Sequence, residues 1–233
     1  MSRFAPPSKI SERLEVDPEK IKWLTRLIRQ GEGSHLEFKA KTSFPDKIVK
    51  EMIAFANSGG GTLLIGISDD GKISGVKYPE EDSMLMLKAL HKYCWPRIKT
   101  KSSMIKVSGK KWVVVFDVSE SKSKPIRFKE SRSKQLTYIR YRDKTLQASR
   151  EAEGILRLKY SQKAVSFSYG DVENKLLKVI DEKGQASFAE LKRLMGINEL
   201  TLSGKLIQLA AANIIGWKPM DEFDLFLSVG RSV

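Results

Sequence analysis

The period of the apolar positions changes several times along the chain. Asp17 and Pro18 suit an N-cap and a first helical turn, and Ile21, Trp23, Leu24 and Leu27 behind them predict a helix ending near Gly31. Leu36 and Phe38 then alternate with His35, Glu37 and Lys39, a period of two that predicts a half-buried strand. Behind Pro45, the stripe Ile48, Met52, Ile53 and Phe55 predicts a second helix, stopped by residues 57–61. Residues 62–67 are almost continuously apolar and read as a buried strand. The turn Ser68-Asp69-Asp70-Gly71 should return the chain to a hairpin partner over 72–76. A helix after Pro79 is expected to turn Met84, Leu87, Leu90 and Tyr93 to the core and to end before Pro96.

Strand patterns follow at 103–107 and 112–118, then at 125–128 and 136–141, and residues 149–160 read as a helix. This mixed order predicts an α+β fold with a mixed sheet. The pattern divides the chain into a flexible N-terminal segment, 1–15, a main domain, 16–160, a polar linker, 161–170, and a small domain, 171–233. The last contains helices at 172–182, 188–195 (capped by Ser187) and 200–212, followed by a hairpin of 214–217 with 223–229. That order resembles a winged helix-turn-helix.

Composition adds a partner. The 42 Lys and Arg exceed the 28 Asp and Glu, for a formal net charge of +14. Residues 161–233 hold 9 of each sign, so the whole excess, 33 against 19, lies in residues 1–160. Such a bias points to an anionic partner, DNA or RNA. One cysteine, Cys94, excludes an internal disulfide and a zinc cluster. With no apolar run long enough to span a bilayer and no leader pattern, the chain is expected to be soluble, cytoplasmic and independent of membranes.

The stretch Gly31-Glu-Gly-Ser-His-Leu-Glu-Phe-Lys39 carries the candidate chemistry. In a continuous strand Glu32 and Glu37 would point to opposite faces, so they share a site only if the chain bends at the flanking glycines, with Gly33 as the expected hinge. Asp69, in a turn after an adjacent strand, is the available third acid. Three carboxylates around one point need a hard cation such as Mg²⁺ or Mn²⁺, and Lys39 would add positive charge beside them. The alternative is an exposed Glu37–Lys39 pair and a turn-shaping Asp69. ATP is not expected: residues 57–62 run helix, glycines, strand, the reverse of a phosphate-cradling loop, and lack its lysine.

Glu32-Gly-Ser-His-Leu-Glu37-Phe-Lys39, followed by Ala54-Phe-Ala-Asn57-Ser-Gly-Gly-Gly-Thr-Leu-Leu-Ile-Gly66-Ile-Ser-Asp69-Asp-Gly71, resembles the Schlafen AlbA-like domain. Tyr138-Ile-Arg140 and the helix from Ser149 fit its closing segment. The resemblance implies nucleic-acid binding. It also implies, from relatives that are metal-dependent endoribonucleases acting on structured RNA such as transfer RNA, that Glu32, Glu37 and Asp69 hold the catalytic metal. Those relatives use two related lobes, and here a homodimer would have to supply the second. Bacterial-type relatives with a winged-helix tail look like DNA-binding transcriptional regulators, the architecture nearer to this chain.

Residues 122–144 contain nine basic residues against two acids. From these we select Lys122, Lys124, Arg127, Lys129, Arg140 and Arg142 for phosphate contact, with Lys205 on the helix 200–212. Phe128, Tyr138 and Tyr141, interleaved with them, either stack on unpaired bases or sit in the core.

Overall fold

The computed structural model describes residues 15–161 and 169–229. Most of the N-terminal segment and most of the linker marked out by sequence lie outside the described residues. Among the described residues two compact units emerge: residues 126–145 go with the part before residue 122, and residues 122–125 with the part from residue 146 on.

The first unit is built on a four-stranded sheet of β1 (Leu36–Lys39), β2 (Gly61–Ile65), β4 (Thr100–Ser108) and β5 (Lys111–Val118), in the order β1-β2-β5-β4. The first pair is parallel and the others antiparallel. Both faces are covered. Helix α1 (Pro18–Gln30), capped by the Asp17 carboxylate, supplies Leu24 to a cluster with Leu36, Phe38, Leu64, Val113 and Val115. The residues alternating with these, Leu63, Ile65, Val114 and Phe116, join α2 (Pro45–Asn57) and α3 (Pro79–Tyr93) in a second cluster on the other side. A further sheet, in the order β3-β6-β7-β8, is formed by β3 (Cys94–Trp95), β6 (Arg127–Lys129), β7 (Gln135–Tyr141) and β8 (Lys144–Gln147). Its Phe128 and Tyr138 enter the α2 side of the core.

Three expectations are corrected here. Glu37 is not on an exposed face: it is buried, because a sheet covered on both sides has no solvent side. Residues 72–76 form no strand and make only isolated bridges, Ile67 to Ile73 and Val76 to Trp112, because β5 takes the antiparallel place beside β2. Gly66, at φ 105, turns the chain away at the end of that strand. Helix α3 buries Ser83, Met86, Ala89 and Leu90, while Leu87 is exposed.

The buried Asn57 ends α2 and acts as a staple. Its amide nitrogen donates to the carbonyls of Ile126 and Tyr138, at 2.9 and 2.8 Å, and its oxygen accepts from the Ile126 N–H at 2.8 Å. At Gly60 a Cβ would lie 2.8 Å from the Val118 carbonyl, so the glycine cluster is there for close backbone approach.

The second unit contains α4 (Arg150–Lys159), α5 (Asp171–Lys183), β9 (Gln185–Ser187), α6 (Phe188–Met195), α7 (Glu199–Ala211), β10 (Ile215–Pro219) and β11 (Asp224–Ser228). Ser187 and Glu190 form a capping box at the start of α6. The three strands pair antiparallel in the order β10-β11-β9. Sequence placed α4 with the main domain, but it packs on α7 so closely that a Cβ at Gly154 would lie 2.5 Å from Ile207 Cδ1.

Candidate functional site

Strand β1 is an edge strand, and an edge leaves one row of backbone groups without partners. Side chains satisfy them here. The chain bends before β1, with Gly31 at φ 73 and the Gly33 N–H donating to the Leu36 carbonyl at 3.0 Å. Gly31 is the residue with positive φ, and the turn closes between Gly33 and Leu36. The bend lets Glu32 Oε1 accept from the Phe38 N–H at 2.8 Å. On the same edge Arg140 of β7 donates to the Gly33 carbonyl at 3.0 and 2.9 Å and to that of Leu36 at 3.2 Å.

Arg140 is the centre of the cluster. Its side chain is 1% exposed, and besides those carbonyls it bonds Glu37 at 2.6 Å, Glu51 at 3.0 Å and Thr145 at 3.2 Å. All five guanidinium donors are therefore directed inward, leaving none for phosphate, although the basic run had placed Arg140 among the phosphate contacts. Glu37 is held from its other oxygen by Lys39, and Thr145 donates to Glu51. Desolvation raises the pKa of Glu32 against the lowering pull of the Phe38 N–H, and it raises that of Glu51 in the same way against Thr145. Three carboxylates thus share two cations in a half-closed recess. A cavity of about 320 Å³ lined by Leu27, Glu32, His35 and Thr62 opens beside it.

Glu32, Glu37, Lys39 and Arg140 are close enough for their charges to act on one another. Asp69 is exposed in its turn, where the neighbouring Asp70 takes the hydrogen bonds and the Lys72 ion pair. Lys72 and Ser68 lower the Asp70 pKa to about 2. Among the described residues no three His, Cys, Asp or Glu side chains form a group that could hold a metal ion. In this arrangement Lys39 and Arg140 take up both oxygens of Glu37. Glu51 is the member that sequence reasoning missed. Its signal was its place between Ile48 and Phe55, on the buried stripe of α2.

The basic candidates divide by exposure. Lys122 and Arg142 are exposed, with the Arg142 guanidinium 5.6 Å from the centre of the Tyr141 ring. Arg127 and Lys129 are half-buried, and Lys129 Nζ lies 4.6 Å from the centre of the Trp95 ring. Lys124 is buried over Tyr160, 4.0 Å from its ring centre. Lys205 is ion-paired with the buried Glu173 of α5, which lowers the Glu173 pKa. Of the three aromatics, Phe128 and Tyr138 belong to the core and Tyr141 is half-buried.

The model of the Schlafen, AlbA_2 family matches residues 32–149, half of the chain. The chain belongs to this family. The Schlafen match opens on Glu32 and takes in the whole Glu32–Glu37–Glu51–Arg140 cluster. No curated protein matches the chain. Among solved structures, the crystal structure of the DIP2311 protein from Corynebacterium diphtheriae is similar at 16% identity and a TM-score of 0.45, covering 80% of this chain and 36% of that one. The chain thus spans about a third of that protein's length. The N-terminal domain of a Nitrosomonas europaea protein, described as related to the ATP-dependent DNA helicase RecG, is similar at 20% identity and a TM-score of 0.40. That likeness covers 63% of this chain and 97% of the domain. No helix among the described residues is long and apolar enough to cross a membrane.

Proposed function

We propose that this Schlafen-family chain is a nucleic-acid-binding protein, and specifically a DNA-binding regulator of the bacterial type. The carrying observation is charge: the excess of 33 basic over 19 acidic residues lies within residues 1–160, and Lys122, Arg132, Lys134, Arg142 and Lys144 in that stretch are exposed. Cations so placed neutralise phosphates and release their counterions. From α5 onward in the second unit, the order helix, strand, helix, helix, two strands supports a winged helix, with α7 as the element entering a groove. Its exposed Thr201, rather than Lys205 held by Glu173, is then the side chain with reach.

Fluorescence anisotropy with labelled single-stranded and duplex DNA and RNA over a salt series tests this reading. For six to ten phosphate contacts, affinity should fall roughly 10³- to 10⁵-fold between about 50 and 200 mM salt. Binding that ignores salt, or no binding to any of the four ligands, would refute it. The same protein incubated with transfer RNA and Mg²⁺ or Mn²⁺, with and without chelator, tests the rival chemistry. Binding without cleavage is expected. Cleavage that requires the metal and is lost in Asp69→Ala, a replacement at an exposed residue, would put a ribonuclease in the regulator's place.

A further inference from the structure

Strand β3 has two residues, and its alternation separates them sharply: Cys94 is 3% exposed and Trp95 is 51% exposed. Trp95 pairs across the strands with Arg127, and β6 repeats the alternation, with Phe128 inward and Arg127 and Lys129 on the other face. Gln135 of β7 stands opposite Lys129. Next to them is an open cavity of about 420 Å³, within the range that takes a nucleotide-sized ligand, lined by Lys92, Tyr93, Lys129, Arg132 and Gln135. Its acid, Glu130, is ion-paired with Lys134 at 2.6 Å, so the remaining charge of the lining is positive.

Trp95 belongs to none of the hydrophobic core clusters, and about half of its surface meets solvent. What it offers is a π-surface beside cations. Lys129 Nζ already lies 4.6 Å from the ring centre, and Lys92 Nζ lies 4.6 Å from that of Tyr93. We infer that Trp95 is a stacking platform for an unpaired base of a single strand, whose phosphates lie on Lys92, Lys129 and Arg132. The Gln135 amide and the Ser131 hydroxyl at the cavity wall can donate to and accept from a base edge. Aromatic stacking combined with a cationic track is the physics of single-strand binding, and a paired base presents no free face to the indole. The inference rests on the nucleic-acid reading above and adds to it the strandedness of the ligand and the residue that senses it.

The experiment uses the full chain, a labelled oligothymidylate and a duplex of equal length, at one fixed salt concentration. Trp95→Ala should weaken single-strand binding by about 5- to 150-fold and leave the duplex unchanged, while Trp95→Phe should retain most of the affinity. Stacking should also quench indole emission when the oligonucleotide is added, and Trp95→Phe should abolish that quenching. A wild-type protein that binds duplex but not the single strand would overturn the inference and leave the general reading standing. So would a Trp95→Ala variant that matches wild type on the single strand, or that loses duplex affinity equally. No binding of wild type to either ligand would refute both.

Discussion

Replacing Arg140 by alanine should destabilise the first unit more than any surface change, and with a characteristic pH dependence. The substitution strips Glu37 and Glu51 of a guanidinium at 2.6 and 3.0 Å and leaves the Gly33 and Leu36 carbonyls without their donor. Removing one partner of a buried ion pair costs about 3–5 kcal/mol, and here Lys39 still holds Glu37 and Thr145 still holds Glu51, so that range is kept rather than doubled. At about 2–4 °C per kcal/mol for a body of this size, the melting temperature should fall by roughly 6–20 °C. The sign with pH follows from Glu51. Burial already raises its pKa and Arg140 works against that rise, so the variant's Glu51 moves further up. The folded state then binds more protons than the unfolded state across the carboxylate range, and stability falls as pH rises through it. The deficit should be largest near neutrality and shrink on acidification. Urea denaturation of both proteins from about pH 5 to 8 measures it. A triple variant, Arg140→Met with Glu37→Gln and Glu51→Gln, should recover part of the loss. A loss under about 1 kcal/mol at neutral pH, or one that does not ease in acid, would refute the reasoning.

Two further outcomes follow from buried polar groups. Asn57→Ala leaves two carbonyls and one N–H without partners in the core and should cost about 2–4 kcal/mol, measured by urea denaturation, whereas Asn57→Asp keeps only the acceptor half and should recover little. Lys205→Ala removes the cation that lowers the Glu173 pKa. That stabilisation is present above the unfolded-state value and lost as pH falls through the folded one, so the variant should lose roughly 1–3 kcal/mol at neutral pH and converge on wild type in acid.

Local pattern located most elements, because caps and prolines act within a few residues: Asp17 with Pro18, Pro45, Ser187 with Glu190, and Ser149 all stand at helix starts. It failed where a distant partner decided. Glu37 reads as a solvent-facing residue until a guanidinium 103 positions away makes burial tolerable. The same event converts Arg140 from a phosphate contact into a structural cation, and composition alone does not distinguish the two. Strand β9 was missed because three residues between two helices carry no periodic signal, and α3 turned by one position because a helix with apolar residues at 84, 85, 86 and 87 leaves its inner face to the neighbours. Local pattern gives Trp95 no role; only the pairing of β3 with β6 shows which way it faces.

The second unit is discontinuous in sequence, and that bears on its portability. Residues 122–125 belong to it, and so does α4, whose N-cap Ser149 both accepts from the Ala152 N–H and donates to the buried Asp224 of β11. A fragment cut at residue 171, where charge and periodicity suggest a boundary, would carry α7 with the groove for α4 open and Ile155 gone from its core. A graft of this unit onto another protein should therefore begin before Ser149. Recombination at residue 171 would transfer an incomplete core, so exchange of tails among relatives should be found upstream of α4.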